Sequence, residues 1–276
     1  MILVGTSGYS YEDWRGALYG PTLNQRDFLS FYAERFPTVE LDFTYYRMPN
    51  ARTMAAIESK TPPSFRFTVK LHQSMTHQIP AVPDEITGNE ALFREAMRPL
   101  ADAGKLGCLL AQFPYSFRRS PGNLDYIRGL HERLAMPLVV EFRNRDWVAD
   151  ETRAELSKMG VGYCCVDEPA LKGLMPREAV ATSRIAYIRF HGRNAAKWWK
   201  HDQPWERYDY LYSDDELREW LPDIEQLASR TDVTYVLFNN CHAGQAARNA
   251  RTMQLLLGER TGVAEPPPLA EQIKLF

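Results

Sequence analysis

Short apolar runs alternate with amphipathic segments along most of the chain. Eight runs rich in apolar, β-branched or aromatic residues predict strands, at residues 2–7, 38–44, 65–71, 106–113, 137–143, 162–167, 186–192 and 234–240. Segments with helical spacing separate most of them, at 26–36, 50–60, 89–104, 121–135, 150–159, 214–230 and 243–258. The connection between the sixth and seventh strands has the weakest helical pattern. The chain therefore repeats a strand and a helix.

This alternation predicts parallel strands joined by crossover helices. The count favours a single α/β domain, a (β/α)8 TIM barrel, over residues 1–258, followed by a Pro-rich linker and a short C-terminal tail at 259–276. A doubly wound open sheet is the alternative. That fold usually carries a Gly-rich phosphate-binding turn after its first strand, and GTSG at 5–8 matches neither GxGxxG nor a P-loop.

Each predicted strand starts with apolar residues and finishes with polar or charged ones. In a barrel the C-terminal ends of all eight strands meet at one mouth, where the active sites of this fold lie. The polar residues expected there are Glu40, Asp42, Lys70, Gln112, Glu141, Arg143, Asp167, Arg189, His191, Asn239 and Asn240.

Composition and charge add three exclusions. The 276 residues are 45% hydrophobic and 25% charged, as in ordinary globular proteins, which excludes a disordered or fibrous chain. Lys and Arg number 33 against 35 Asp and Glu, so any anion site must be local. No apolar run approaches the length of a membrane span and the N-terminus lacks signal-peptide features, so we expect a cytoplasmic protein with no membrane contact.

Seven stretches of the sequence carry a family resemblance: GTSGYSYEDWRG (5–16), VELDFTYYRMP (39–49), FRFTVKLHQSMTH (65–77), QFPYSF (112–117), VEFRNRDW (140–147), YIRFHGR (187–193) and FNNCHAG with ARNA (238–250). Together they resemble the YecE-like family (domain of unknown function 72), whose members are TIM barrels. The resemblance implies the barrel and no settled reaction. The family usually places Asn at the position of Asp42, Phe at that of Tyr45 and Trp at that of Tyr9, and the first difference changes the charge at the mouth.

Three residues are the candidates for catalysis. Glu40 and Glu141 would end the second and fifth strands, and paired carboxylates can divide general-acid and general-base work. The alternative is that each carboxylate pairs with a nearby arginine, because Glu141 and Arg143 share one face of a strand. His191 can donate a proton to a leaving oxygen.

Four basic residues, Lys70, Arg143, Arg189 and Arg193, form a predicted cationic arc that suits a phosphate or carboxylate. An inward network that neutralises the mouth carboxylates is the alternative interpretation. Amide side chains that can either bind a substrate or fix loops are Gln112, Asn239 and Asn240. No HExxH motif or clustered histidine triad appears, so we predict no bound metal and no cofactor. The four cysteines lack a CxxC pair and are predicted to be free thiols.

Two further segments point to partners. Residues 192–212 interleave basic residues with Trp and Tyr, which is typical of a loop that stacks on bases or sugars, or of a structural cover for the barrel. The last five residues, 272–276, resemble the bacterial sliding-clamp-binding peptide. Its predicted partner-binding residues are Gln272, Leu275 and Phe276, and the alternative is a tail that folds back onto the chain.

The sequence therefore favours an enzyme for a phosphate-bearing or otherwise anionic substrate, a hydrolase of phosphodiester or sugar-phosphate type, linked to DNA maintenance through its tail. Two alternatives remain open: a sugar or sugar-phosphate isomerase or hydrolase that uses the carboxylates, and a non-catalytic module that binds nucleic acid.

Overall fold

Eight parallel strands close into a barrel in chain order, with β8 paired to both β7 and β1. The computed structural model describes residues 1–261, with side chains described up to residue 258. The predicted (β/α)8 TIM barrel is confirmed. The strands are β1 Ile2–Ser7, β2 Thr38–Leu41, β3 Arg66–Lys70, β4 Leu106–Gln112, β5 Leu138–Glu141, β6 Gly162–Asp167, β7 Ile185–Phe190 and β8 Val233–Phe238.

Helices cover the outside of the barrel. In the described residues they are α1 Phe28–Ala33, α2 Phe43–Tyr46, α3 Ala51–Glu58, α4 Pro83–Asp102, α5 Pro121–Leu134, α6 Asp150–Met159, α7 Asp214–Arg218, α8 Leu221–Ala228 and α9 Gln245–Thr261. Side-chain caps start several of them: Ser120 Oγ accepts from the Asn123 backbone amide at the start of α5, directly before Pro121.

Two elements differ from the sequence prediction, and a third region agrees with it. β2 ends at Leu41 and α2 begins at Phe43, so the predicted second strand was too long. The segment predicted as one helix at 214–230 is two helices, because Pro222 lacks an amide hydrogen and sits in the first turn of a new helix, α8. Residues 168–184, between β6 and β7, contain no helix in the described structure, in line with the weak pattern there.

The GTSG segment serves barrel closure. A side chain at Gly5 would place its Cβ 2.1 Å from the carbonyl oxygen of Thr38 on β2, so only glycine lets these two strands approach. Thr6 and Ser7 are fully buried beside it. The segment therefore allows β1 to pack closely against β2.

Within the described residues, no helix is both long and apolar enough to cross a lipid bilayer. The four cysteines are free, and Cys108, Cys164 and Cys165 are buried. Residues 262–276 lie outside the described residues, so the sliding-clamp peptide with Gln272, Leu275 and Phe276 stays a prediction from sequence, as does the domain boundary at residue 258.

Candidate active site at the barrel mouth

One guanidinium joins two strands across the floor of the mouth. Arg189 on β7 donates through Nη2 to Glu40 Oε1 at 2.7 Å and through Nη1 to Glu141 Oε2 at 2.6 Å. Both carboxylates are fully buried, and the Tyr187 hydroxyl donates to the other oxygen of Glu40 at 2.7 Å. Buried carboxylates are stable in such a place only when they are paired and hydrogen-bonded.

A second guanidinium continues this network toward the opening. Arg143, two residues after β5, places its Nε 2.8 Å from Glu141 Oε1 and donates through Nη1 to Glu168 Oε2 at 3.0 Å. Burial by itself would raise the pKa of Glu141, but the charges of Arg143 and Arg189 outweigh it and hold that pKa well below its usual value. Glu141 is therefore an anion at neutral pH.

His191 is held as a neutral imidazole. Its Nε2 lies 3.2 Å from Glu141 Oε1, and the Asn239 amide lies 3.0 Å from Nδ1. Burial and the charge of Arg143 lower the pKa of His191 to about 3. With the Asn239 NH2 donating to Nδ1, the proton resides on Nε2 and faces Glu141.

Glu168 is a mouth residue that the sequence analysis did not select. It follows Asp167 at the end of β6, and its Oε1 accepts from the Met175 backbone amide at 3.0 Å. Burial raises its pKa to about 7 even though Arg143 acts in the opposite direction. The sequence signal for Glu168 was the acidic pair that it forms with Asp167, the last residue of β6.

Arg193 belongs to a separate cluster. Its Nε and Nη2 donate to the two oxygens of Asp167, each at 2.8 Å, and Glu219 accepts from Nη2 at 3.0 Å. The Tyr212 hydroxyl and the Trp220 indole also donate to Asp167, both at 2.7 Å. This bidentate pair fixes the loop after β7 to the end of β6.

Above the floor lies a cavity of about 310 Å³. Three cations line it, Lys70, Arg143 and Arg207, and no carboxylate does so within the described residues. The walls are mainly aromatic: Tyr45, Tyr46, Tyr115, Trp198, Trp199 and Tyr208.

Two of these cations lack a carboxylate partner in the described part of the chain. Lys70 makes no ion pair there, and its Nζ lies 4.4 Å from the centre of the Tyr45 ring. Burial and the charge of Arg189 lower the pKa of Lys70 to about 8, so it is mostly charged at neutral pH. Arg207 contacts His201 Nε2 at 3.2 Å and lies over the Trp198 and Tyr208 rings. We name the space that Lys70, Arg143 and Arg207 line the anion cavity.

The structure brings most of the predicted site residues to this end of the barrel. Glu40, Glu141, Arg189 and His191 form the floor. Residues that line the anion cavity are Lys70, Gln112 and Arg143. Those engaged elsewhere are Asn239, which binds His191, Asn240, which binds Tyr210 and Asn249, and Arg193. Sequence reasoning did not select His77, which lines the anion cavity, or Glu168, which binds Arg143. Arg207 lies in the segment 192–212, for which a loop that stacks on bases or sugars, or a cover for the barrel, was predicted.

A larger depression, of about 750 Å³, lies at the other end of the barrel, beside the residues that enter β5. Three of its charged side chains pair with one another: Glu155 binds both Arg128 and Lys158 on the surface. Exposed pairs of this kind contribute little to stability. No three His, Cys, Asp or Glu side chains within residues 1–258 form a group suited to hold a metal ion.

The fold and the mouth define the class: a (β/α)8-barrel protein with a charged, aromatic-walled cavity at the C-terminal ends of its strands. A family model described as "Protein of unknown function DUF72" matches residues 3–272, so the chain belongs to that family. This agrees with the resemblance seen in the sequence.

Relatives match along nearly their whole length. The chain is 34% identical to the UPF0759 protein YunF of Bacillus subtilis, covering 96% of this chain and 98% of that protein. A DUF72 family protein from Thermotoga maritima superposes with a TM-score of 0.84 at 43% identity, over 93% of this chain and 99% of the other. One from Enterococcus faecalis gives 0.83 at 27% identity, over 97% and 99%.

Proposed function

We propose that the barrel mouth binds a phosphate-bearing substrate and hydrolyses it as a phosphodiesterase or sugar-phosphate hydrolase. The observation that supports this most directly is the lining of the anion cavity, with three cations and no carboxylate among the described residues. Two of the cations, Lys70 and Arg207, have no carboxylate partner in the part of the chain that the structure describes, so an incoming anion does not have to displace one there. Arg and Lys side chains bind phosphate in this way.

The walls of the anion cavity suit a ring attached to the phosphate. Trp198, Tyr208 and Tyr45 present aromatic side chains within one cavity, and such faces stack on bases and sugars. The substrate class is therefore a phosphate ester with a ring, as in a nucleotide or a sugar phosphate.

We assign different roles to the two layers. Lys70 and Arg143 contact the phosphate and stabilise the charge that develops during transfer to water. The pKa of Lys70, about 8, also lets this side chain supply a proton to the leaving oxygen. Glu40 and Glu141 both accept hydrogen bonds from Arg189, and His191 lies next to Glu141. We therefore assign these three residues a positioning role at the floor of the mouth.

Turnover of chromogenic phosphate esters tests this function. We expect the purified chain to hydrolyse p-nitrophenyl phosphate or bis-p-nitrophenyl phosphate, and Lys70→Met to lose at least tenfold in kcat/KM. Arg66→Met is the matched control, because Arg66 begins β3 at the opposite end from Lys70. If neither ester is hydrolysed and neither phosphate nor sulfate binds at millimolar concentration, the proposal is refuted.

The exposed rim supports a second candidate, a non-catalytic module for single-stranded nucleic acid. Tyr46 is 74% exposed and Trp199 is 54% exposed, and both border the anion cavity. Exposed aromatic side chains next to cations stack on successive bases. Tight binding of a short oligonucleotide without turnover of any phosphate ester would favour this module over the hydrolase.

The alternative function, a sugar-phosphate isomerase, requires carboxylates that contact the substrate. Glu40 and Glu141 are fully buried and share one guanidinium. This arrangement favours the hydrolase over carboxylate-driven isomerisation. An isomerase would instead interconvert an aldose phosphate and a ketose phosphate without releasing phosphate.

We also propose, from the sequence alone, that residues 272–276 bind a bacterial sliding clamp, which would connect the enzyme to DNA maintenance. The apolar pair Leu275 and Phe276 provides the anchor and Gln272 the polar contact. We expect a five-residue peptide to bind with a Kd on the order of micromolar. Titration of a purified clamp with the full chain and with a chain ending at Ala270 tests this, and equal affinities would contradict it.

A further inference from the structure

A second cavity lies next to the anion cavity. Its volume is about 360 Å³, and Tyr46 on α2 lines both spaces. α2 is a single turn of four residues, which is about 6 Å long at the usual helical rise. The two cavities therefore adjoin at Tyr46, and we call the second space the Asp42 cavity.

The two cavities have opposite character. The aromatic residues Tyr9, Tyr11, Phe43 and Tyr46 line the Asp42 cavity, and Asp42 is the one charged residue among its described lining residues. No cation lines it within the described residues. A flat, uncharged ring suits these aromatic walls, whereas a phosphate would meet a carboxylate there.

Asp42 retains an acceptor for a ligand. The Tyr11 hydroxyl lies 3.1 Å from Asp42 Oδ2, and no other described side chain hydrogen-bonds to this carboxylate. Burial and the charge of Glu40 raise the pKa of Asp42, while the Tyr11 hydroxyl and the charge of Lys70 act against that rise. In its ionised form this carboxylate accepts hydrogen bonds and donates none.

We infer that the Asp42 cavity binds a nucleobase bearing an exocyclic amino group, which donates to Asp42 while the phosphate occupies the anion cavity. This rests on the proposed function and narrows its substrate class to nucleotides. Enzymes that act on nucleotides read a base by hydrogen bonds to its edge and by stacking between aromatic side chains. A sugar phosphate would leave the Asp42 cavity unused.

Cytidine and uridine 5′-monophosphates give a matched pair of probes. They have the same phosphate, sugar and ring shape, but the amino group of cytosine is a carbonyl oxygen in uracil. That oxygen would face the carboxylate of Asp42 without a hydrogen. Calorimetric titration of the full chain should give a Kd for cytidine monophosphate on the order of tenfold lower than that for uridine monophosphate.

The Asp42→Asn variant sharpens the test, because an amide both donates and accepts. We expect this variant to remove or invert the preference for cytidine monophosphate and to leave the Kd of ribose 5-phosphate unchanged. Arg207→Met serves as the control: it should weaken both nucleotides by the same factor and preserve their ratio.

The outcomes separate the two proposals. If ribose 5-phosphate and both nucleotides bind equally well, phosphate binding stands and the nucleobase site is refuted. If Asp42→Asn folds but leaves the ratio of the two nucleotides unchanged, the assignment of Asp42 is refuted. If no phosphate compound binds at millimolar concentration, both proposals fail. The comparison in the unmodified protein needs no variant, so a misfolded Asp42→Asn protein does not remove the test.

Discussion

Arg189 lies on β7 and Arg193 lies in the segment that follows it, and the two side chains bind different sets of carboxylates. Arg189 bridges Glu40 and Glu141 under a cavity whose own cations remain available. Arg193 forms a bidentate ion pair with Asp167 and also pairs with Glu216 and Glu219, so carboxylate oxygens surround its guanidinium. The comparison teaches that carboxylates compensate both arginines, so that in the described part of the mouth the cations without a carboxylate partner are Lys70 and Arg207.

The largest expected effect concerns the buried bridge. Arg189→Met should lower the free energy of unfolding by about 3–5 kcal/mol, because it leaves two buried carboxylates without their shared cation. Arg193→Met should lower it by only about 1–3 kcal/mol, since Tyr212 and Trp220 still donate to Asp167. Urea unfolding of the three proteins measures both values. Equal losses would contradict the distinction between the two arginines.

Next in size is the effect on anion affinity. Lys70→Met and Arg207→Met should each weaken sulfate binding by about tenfold, because each removes a cation of the anion cavity that has no carboxylate partner. Arg193→Met should leave the sulfate Kd unchanged. A loss of affinity in the Arg193 variant as large as in the Lys70 variant would place Arg193 in the site. Calorimetry measures all three dissociation constants.

The pH dependence of sulfate binding sharpens the comparison further. Sulfate keeps its charge between pH 6 and pH 9, so only protein groups titrate. Lys70 loses its proton near pH 8 and Glu168 gains negative charge near pH 7, and both changes disfavour an anion. We expect affinity to fall as pH rises through this window. Affinity that is constant from pH 6 to pH 9 would exclude both groups from the site.

The smallest effect concerns Glu168 alone. Glu168→Gln should remove the part of the pH dependence near pH 7 and keep the part near pH 8. The variant should also gain stability relative to the unmodified protein above pH 7. A carboxyl whose pKa is raised in the folded state stabilises that state at low pH and loses this contribution as pH rises through 7. Thermal unfolding at pH 5.5 and pH 8.5 measures this difference.

The barrel itself was readable from the sequence because strand and helix periods are local properties. Buried parallel strands produce apolar runs, and each run ends with the polar residues that face the mouth. Glu40, Lys70, Glu141 and Arg189 were therefore placed correctly at the C-terminal ends of their strands. The break at Pro222 and the early end of β2 at Leu41 were missed, since boundaries depend on single residues and their neighbours.

Only the tertiary structure decided which basic side chains at the mouth lack a carboxylate partner among the described residues. The sequence shows Lys70, Arg143, Arg189 and Arg193 alike as basic residues, yet a partner can lie far away in the chain: Arg189 binds Glu40, which is 149 residues distant. Glu168 was not selected because its partner Arg143 lies 25 residues away in the chain, whereas Arg207 lies in the segment 192–212, whose basic and aromatic residues had indicated a loop of this kind. The strand period fixed which side chains face the mouth. The pairing of charges across the closed barrel determined which cations remain available to a ligand, because Coulomb interactions depend on distance in space and on burial.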